Sequence, residues 1–416
     1  MLGFGMMIPV IRNFTKYLVD SSGYEATKGD YAIYAGILMA SYSLFQFIFS
    51  PILGRLSDKY GRKPILLLSV GGNVLSYFFW AISNNFAFFL FSRIISGATG
   101  GNISVAQSYI ADITSKSERA KYMGLVGAVF GIGFVVGPFF GGILSKLNLS
   151  YVSEITNNML KFNHFSSVGI GMMFLSIISL IWIKAKVPET IKNGRLLNPI
   201  DVNHKTKNNQ APRSNSGLYN IFKLRGVGKK EITTVFLVFF IMSLGFVHVE
   251  SILSWDLQDR FHLDSQTDTG DSSETGYFFA YMGIVMALVQ GGLYRYLVIK
   301  FSLATLAKSG ILILSFALYA MVYASPLVVA GIVIAIMAVG YGIANPSLMT
   351  MVSVHSGEDE QGVNVGIMQS LGAIARLIAP GIATTAYAKM GIASPYLIAG
   401  SLLLLCFTIL HGKKIK

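Results

Sequence analysis

The chain has 416 residues, of which 53% are hydrophobic and only 13% charged, with a mean hydropathy of +0.58. That is too apolar for an ordinary soluble domain, and many runs reach the roughly 20 apolar residues that cross a hydrocarbon core about 30 Å thick. An all-α integral membrane protein is therefore expected. The net charge of +13 sits in loops between those runs rather than on one face, so no nucleic-acid partner is expected. Cys406, the single cysteine, lies in a late apolar run, which excludes disulfides and cysteine metal sites. No metal, cofactor or enzyme chemistry is expected: the chain shows no nucleotide loop, ligand cluster or triad. The N-terminus also lacks the basic region and small-residue site of a cleaved signal.

In chain order, apolar runs predict spans near 1–18, 31–53, 65–83, 86–112, 122–144 and 165–185. A second set follows near 232–257, 276–299, 301–323, 326–350, 362–387 and 392–410. Between the sets runs a polar link whose stretch "NGRLLNPIDVNHKTKNNQAPRSNSG" is too poor in apolar residues to fold alone. The division expected is a first six-helix bundle over 1–185, a basic linker over 186–230 and a second bundle over 231–416. Alternate loops hold the positive charge: Arg55, Lys59, Arg62 and Lys63; Lys116, Arg119 and Lys121; the linker; and Lys413, Lys414 and Lys416. The positive-inside rule then puts the linker and both termini in the cytoplasm. The implied site is a cell membrane crossed many times, a bacterial inner membrane by preference, with the protein a monomer in contact with lipid.

The two sets share a register. Leu2-Gly3-Phe4 pairs with Leu244-Gly245-Phe246 at an offset that also pairs Glu118 with Glu360, Gly124 with Gly366 and Pro138 with Pro380. Duplicated halves are a transporter architecture, with the substrate site between them near the midplane. In that register the first span lacks the residues that precede Leu244 in the seventh, so a truncated first helix is expected.

The stretch "GRLSDKYGRKP", Gly54 to Pro64, packs five charges into the link between the second and third spans. Gly54 and Gly61 allow close backbone approach and Pro64 can open a helix. Asp58 suits a helix N-terminus. Arg62 offers a planar fork to a carboxylate, the nearest candidate being Asp112 in "SYIADIT". A plain orientation-setting charge run is the alternative.

With "GRLSDKYGRKP", "RIISGATGGNISVAQSYIADIT" and "GAVFGIGFVVGPFFGG" in view, the chain resembles the major facilitator superfamily. The run from Gly54 to Gly142 is especially similar to the tetracycline efflux branch, and "ESILSWDLQDRF" resembles the animal tetracycline-transporter-like proteins. The resemblance implies twelve transmembrane helices as two six-helix pseudo-repeats. It also implies a cytoplasmic latch of Gly54, Asp58, Gly61, Arg62, Lys63 and Asp112, in which Asp58 faces the start of the eleventh span. "GGLYRYLVIKFS" departs from the pattern by lacking the acidic position, which argues against a symmetric second latch. Gly133, Gly137, Pro138, Gly141 and Gly142 read either as an antiporter hinge or as close helix packing.

Charges inside spans are costly and usually functional. Glu250 lies in "GFVHVESILSW". Burial disfavours its ionised form, which makes it the candidate proton carrier, with a structural carboxylate or a substrate contact as alternatives. His248 stands two residues away, about 200° around the helix. Arg93 matches the family arginine that faces the first helix and helps proton exchange. In relatives that helix carries a buried acid, which would lie just upstream of Met1. Arg376 is a candidate for the cavity, together with Gln46, Asn73, Asn102, Gln107, Gln290, Asn345 and Gln369, each of which could instead join helices. The function expected is proton-coupled efflux of small amphipathic organic compounds, tetracycline-like drugs among them. An uptake symporter or facilitator for a small metabolite is the alternative, and a non-transporting receptor or adaptor a lesser one.

Overall fold

In a computed structural model, residues 2–21, 23, 26–114, 129, 133, 136–155, 161–192, 195–196, 230–263, 272–355 and 361–412 are described. Most of the linker, the central part of the fifth span and the C-terminal lysines lie outside them, Lys116, Arg119 and Lys121 included. The first span is α1 (Leu2–Met7) and α2 (Ile11–Asp20), broken at Pro9, whose ring cannot donate the hydrogen bond a continuous helix needs. Next come α3 (Lys28–Tyr60), α4 (Arg62–Ala81), α5 (Phe86–Gly100), α6 (Asn102–Ile113), α7 (Val136–Ser145), α8 (Ser150–Ile155) and α9 (Ser166–Lys186). A two-residue ladder pairs β1 (Ile191–Lys192) with β2 (Arg195–Leu196).

The second set holds α10 (Lys230–Phe261), α11 (Ser273–Leu288) with a π turn at Val289–Leu293, and α12 (Tyr294–Lys300). It ends with α13 (Leu303–Tyr323), α14 (Leu327–His355), α15 (Gln361–Met390) and α16 (Ala393–His411). Among the described residues, nine helices are long and apolar enough to cross a membrane. The remaining three of the twelve expected spans are the one broken at Pro9, the one broken at Gly101 between α5 and α6, and the fifth, of which only α7 is well described. The twelve-span reading stands on that arithmetic.

One expectation needs correcting. The link at Gly54–Pro64 is not a loop: α3 runs through Tyr60 and α4 begins at Arg62, leaving Gly61 alone between them. Asp58 consequently sits in the last turn of α3, not at a helix N-terminus. Gly61 carries the reversal at φ +106° and ψ 155°, a conformation that side chains with a Cβ avoid.

The two halves meet along α3 and α15. Thr384 lies against Gly36, and Ala388 against Gly29, so bare backbone on one helix receives a side chain from the other. The end of the molecule that holds Arg55, Lys59, Arg62 and Lys63 is called the basic end below, and the opposite one the far end.

Candidate functional site: two charged ends and a polar centre

At the basic end, Arg62 is almost wholly buried and its guanidinium is shared three ways. Nη1 reaches Asp58 at 2.8 Å and Ser57 Oγ at 2.6 Å, and Nε donates to Asp112 at 2.8 Å. Charge-assisted bonds of this kind are roughly twice as strong as neutral ones. Glu189, which sequence reasoning did not single out, completes the arrangement. Its carboxylate accepts the backbone N–H groups of Arg62 at 2.8 Å and Lys63 at 3.0 Å, two of the unpaired donors that open α4. It also accepts those of Thr190 and Ile191, and the Thr190 hydroxyl donates to Asp112 at 3.3 Å. The segment after α9 is thus strapped across the α3–α4 reversal. Lys63 adds a bond from Nζ to the Lys184 carbonyl at 2.9 Å. Gly54 lies in the last two turns of α3, near Ser104 of α6. The contact expected between Asp58 and the eleventh span falls on residues 356–363, whose side chains lie outside those described.

Glu189→Ala strips the acceptor from four backbone donors. The cost expected is about 1–2 kcal/mol, the upper range for a lost helix cap. Hydrogen exchange at the Arg62 and Lys63 amides reads it directly. Protection unchanged from the parent would show that the strap does not hold the reversal.

The far end is closed by contacts between the halves. Arg12 of α2 pairs with Asp259 of α10, donates to the Trp255 carbonyl at 2.8 Å and lies over the Trp255 ring at 4.9 Å. Tyr387 of α15 also donates to Asp259, and Lys28 stands 3.6 Å away. Asn13 donates to Ser272 Oγ at 3.1 Å, and the Ser272 N–H to Ser145 Oγ at 2.9 Å. A cleft of about 350 Å³ opens on this cluster, lined by Lys28, Asp259, Arg260 and Tyr387. Behind it Asp256 binds Arg260 and the Tyr396 hydroxyl, and Arg260 donates to the Met321 carbonyl at 2.7 Å, which ties α10 to α13 and α16. None of these residues was among the sequence candidates.

The expected hinge residues pack against α1 beside this closure, and Gly142 reaches across it. Gly133, Gly137 and Pro138 back onto Gly5, and Gly141 onto the Met6 backbone. Gly142 faces Gly276 of α11 so closely that a Cβ built on it would lie 3.1 Å from the Gly276 Cα. A side chain there would press on the α11 backbone, which would have to give by a few tenths of an ångström, so in this conformation these residues act in packing.

Between the ends lies a polar centre built from both halves. Glu250 of α10 is buried, and its Oε1 has no hydrogen-bond partner among the described residues. Arg376 of α15 is within Coulombic reach of it, and Tyr341 of α14 is within reach of both. The Phe246 ring stacks on that of Tyr341 with centroids 3.8 Å apart. From the other half, Tyr42 of α3 is within Coulombic reach of Arg376 and of Arg93. Arg93 is 1% exposed, lies 4.7 Å from the Tyr42 ring centroid and 5.9 Å from that of Trp80, and leaves Nε and Nη2 unpaired. Gly97 permits this, since a Cβ there would strike the Tyr42 carbonyl and push α3 off α5.

The other candidates scatter. His248 is buried, with Nδ1 2.8 Å from the Leu244 carbonyl and Nε2 unpaired. Gln46 spends its amide on the Gly100 carbonyl at 3.1 Å, and Asn73 accepts from Thr99 at 2.6 Å, so both join helices here. Asn102, Gln107, Gln290 and Asn345 are half-buried, with Gln290 on the π turn. Gln369 stands in α15, its side chain outside the described ones.

A family model described as Major Facilitator Superfamily matches residues 2–380. Major facilitator superfamily domain-containing protein 10 of Bos taurus is 28% identical over 393 residues, covering 91% of this chain and 78% of its own. The class B tetracycline resistance protein of Escherichia coli is 40% identical over 147 residues, 35% of each chain. Among solved structures, one titled as the human organic anion transporter MFSD10 (TETRAN) matches with a TM-score of 0.65 and 24% identity, covering 98% of this chain and 95% of that one. A D-xylose-proton symporter matches with a TM-score of 0.72 and 14% identity, covering 98% and 94%.

Proposed function

Since the chain belongs to the major facilitator superfamily, and so is a transporter and not an enzyme, we propose that it exports small amphipathic organic compounds by alternating access, coupled to protons carried on Glu250. The observation that carries this reading is the buried, half-unpaired Glu250 beside Arg376, where the two halves meet. A carboxylate so placed can take up a proton when the site faces one side and lose it when the site faces the other. Export is favoured by the 40% identity to tetracycline resistance proteins over a third of the chain, and tetracycline-like drugs are among the substrates proposed.

The reading divides the chain into bundles at 1–185 and 231–416 that rock about the polar centre, with the basic end in the cytoplasm. The far-end contacts then hold the outer side shut while substrate loads from within. The Arg62 cluster, formed within the first half, holds Asp58 at the basic end, and the latch is the contact Asp58 makes with the start of the eleventh span as the cytoplasmic side closes.

The test is flux in proteoliposomes under an imposed pH gradient. Transport against a substrate gradient is expected from the parent and is expected to vanish in Glu250→Gln, while downhill movement survives. Flux that ignores the pH gradient would sink proton coupling, and net movement with the protons would replace export by uptake.

A further inference from the structure

Arg93 is a cation buried without a carboxylate partner among the described residues. Among the described residues, the ionisable groups within Coulombic reach of it are the neutral phenols of Tyr42 and Tyr77, not an acid. The guanidinium lies near the Tyr42 and Trp80 rings, and two of its nitrogens find no acceptor among the described residues. An unpaired guanidinium taken out of water is a costly arrangement. It becomes favourable when an anion supplies the missing acceptors, and the fork of Nε and Nη2 is the edge that binds a carboxylate through two bonds. Tyr42 and Tyr77, the two phenols nearest the charge, are only half-buried, so each ring keeps some accessible surface while the guanidinium has almost none. Tyr42 also links it to Arg376 on the other half. The Tyr42 and Trp80 rings supply a flat apolar wall next to the charge.

We propose that Arg93 is the anion-binding residue of the substrate site. The ligand it takes is a small planar organic anion, its carboxylate or enolate on Nε and Nη2 and its ring against Tyr42. This deepens the transport reading, since it rests on the polar centre being the substrate site, and it gives Arg93 a role other than proton exchange. It asks for an opening of the Tyr42–Tyr77 surface, which the alternating movement of the halves provides.

The experiment is equilibrium binding of naphthalene-2-carboxylate and of naphthalene-2-carboxamide, its neutral isostere, to the purified full chain in nanodiscs. The carboxylate is expected to bind the parent about ten- to a hundredfold tighter than the amide, the range for a charged hydrogen-bonded pair. Arg93→Gln is expected to erase that preference and leave amide binding in place. Arg93→Lys is expected to restore part of it, as a point charge without the fork. Should Arg93→Gln fail to fold, Tyr42→Leu serves instead. With the charge kept and the ring lost, both ligands are expected to weaken together.

A preference that survives Arg93→Gln overturns the proposal. So does carboxylate binding no tighter than the amide, or chloride alone displacing the carboxylate, which would make the group an inorganic-ion site. The measurement involves no gradient, so its failure is separable from that of the transport reading. Arg93-dependent binding with no pH-driven flux leaves the site and removes the coupling; pH-driven flux without the preference does the reverse.

Discussion

Asp259→Asn is expected to open the far end, raising the reaction of a cysteine placed at Ala388 with a hydrophilic maleimide by about ten- to a hundredfold. That range corresponds to about 1–3 kcal/mol shifted between two conformations, the cost of stranding a part-buried charge. Asp259 is the point where three side chains converge: Arg12 from the first half, Lys28 beside Gly29, and Tyr387 from the second half. Arg12 and Asp259 are only 16% and 13% exposed, so water screens them weakly. Lys28 is 76% exposed and adds little. Ala388 reports the event because it lies against Gly29 across the interface, and Cys406, buried in α16, is replaced first to clear the background. Arg12→Gln is expected to raise labelling by a similar factor, and the double variant by no more than either single one, as for one shared interaction. Labelling of Asp259→Asn at the parent rate would place the closure elsewhere, in the glycine contacts of Gly36 and Gly142.

What the sequence reveals here is what local physics writes into it. Spans are legible because roughly 20 apolar residues are a length, and a length needs no partner. Glu250, Arg93 and Arg376 stand out because a charge within a span is expensive wherever it points. Arg62 and Asp112 can be paired from the recognisable stretches around each. Glu189 carries no such mark: it follows a helix end at the edge of a polar linker, where acids are ordinary, and its partners are 127 and 126 residues away. Arg12 and Asp259 are 247 residues apart on different halves, so their meeting depends on how the bundles lean together. A signal did exist for Arg12, a cation inside the first apolar run, and "DLQDRF" offered the acid. Tyr42 gives no sign of its place, since one tyrosine among 20 becomes notable only once α5 presses Arg93 beneath it.

The second large effect is expected at the basic end. Arg62→Gln is expected to cost about 3–5 kcal/mol, the range for breaking a buried ion pair from one side. Arg62 is 4% exposed and Asp112 7%. Once the guanidinium is gone, Asp112 keeps only the Thr190 hydroxyl at 3.3 Å among the bonds described for it, and Ser57 loses its 2.6 Å partner. The loss reads out as a fall of several degrees in the thermal midpoint of the detergent-purified chain. Arg62→Lys is expected to recover less than half, because one ammonium cannot address Ser57, Asp58 and Asp112 from separate edges. The decisive variant is Arg62→Gln with Asp112→Asn. If the damage is an uncompensated buried carboxylate, removing that charge as well restores stability although it deletes a second native side chain. If the double variant is instead worse than the single one, Arg62 acts through Asp58 and Ser57. The α3–α4 reversal would then be held from within its own helix, and Asp112 would be a bystander that the guanidinium happens to reach.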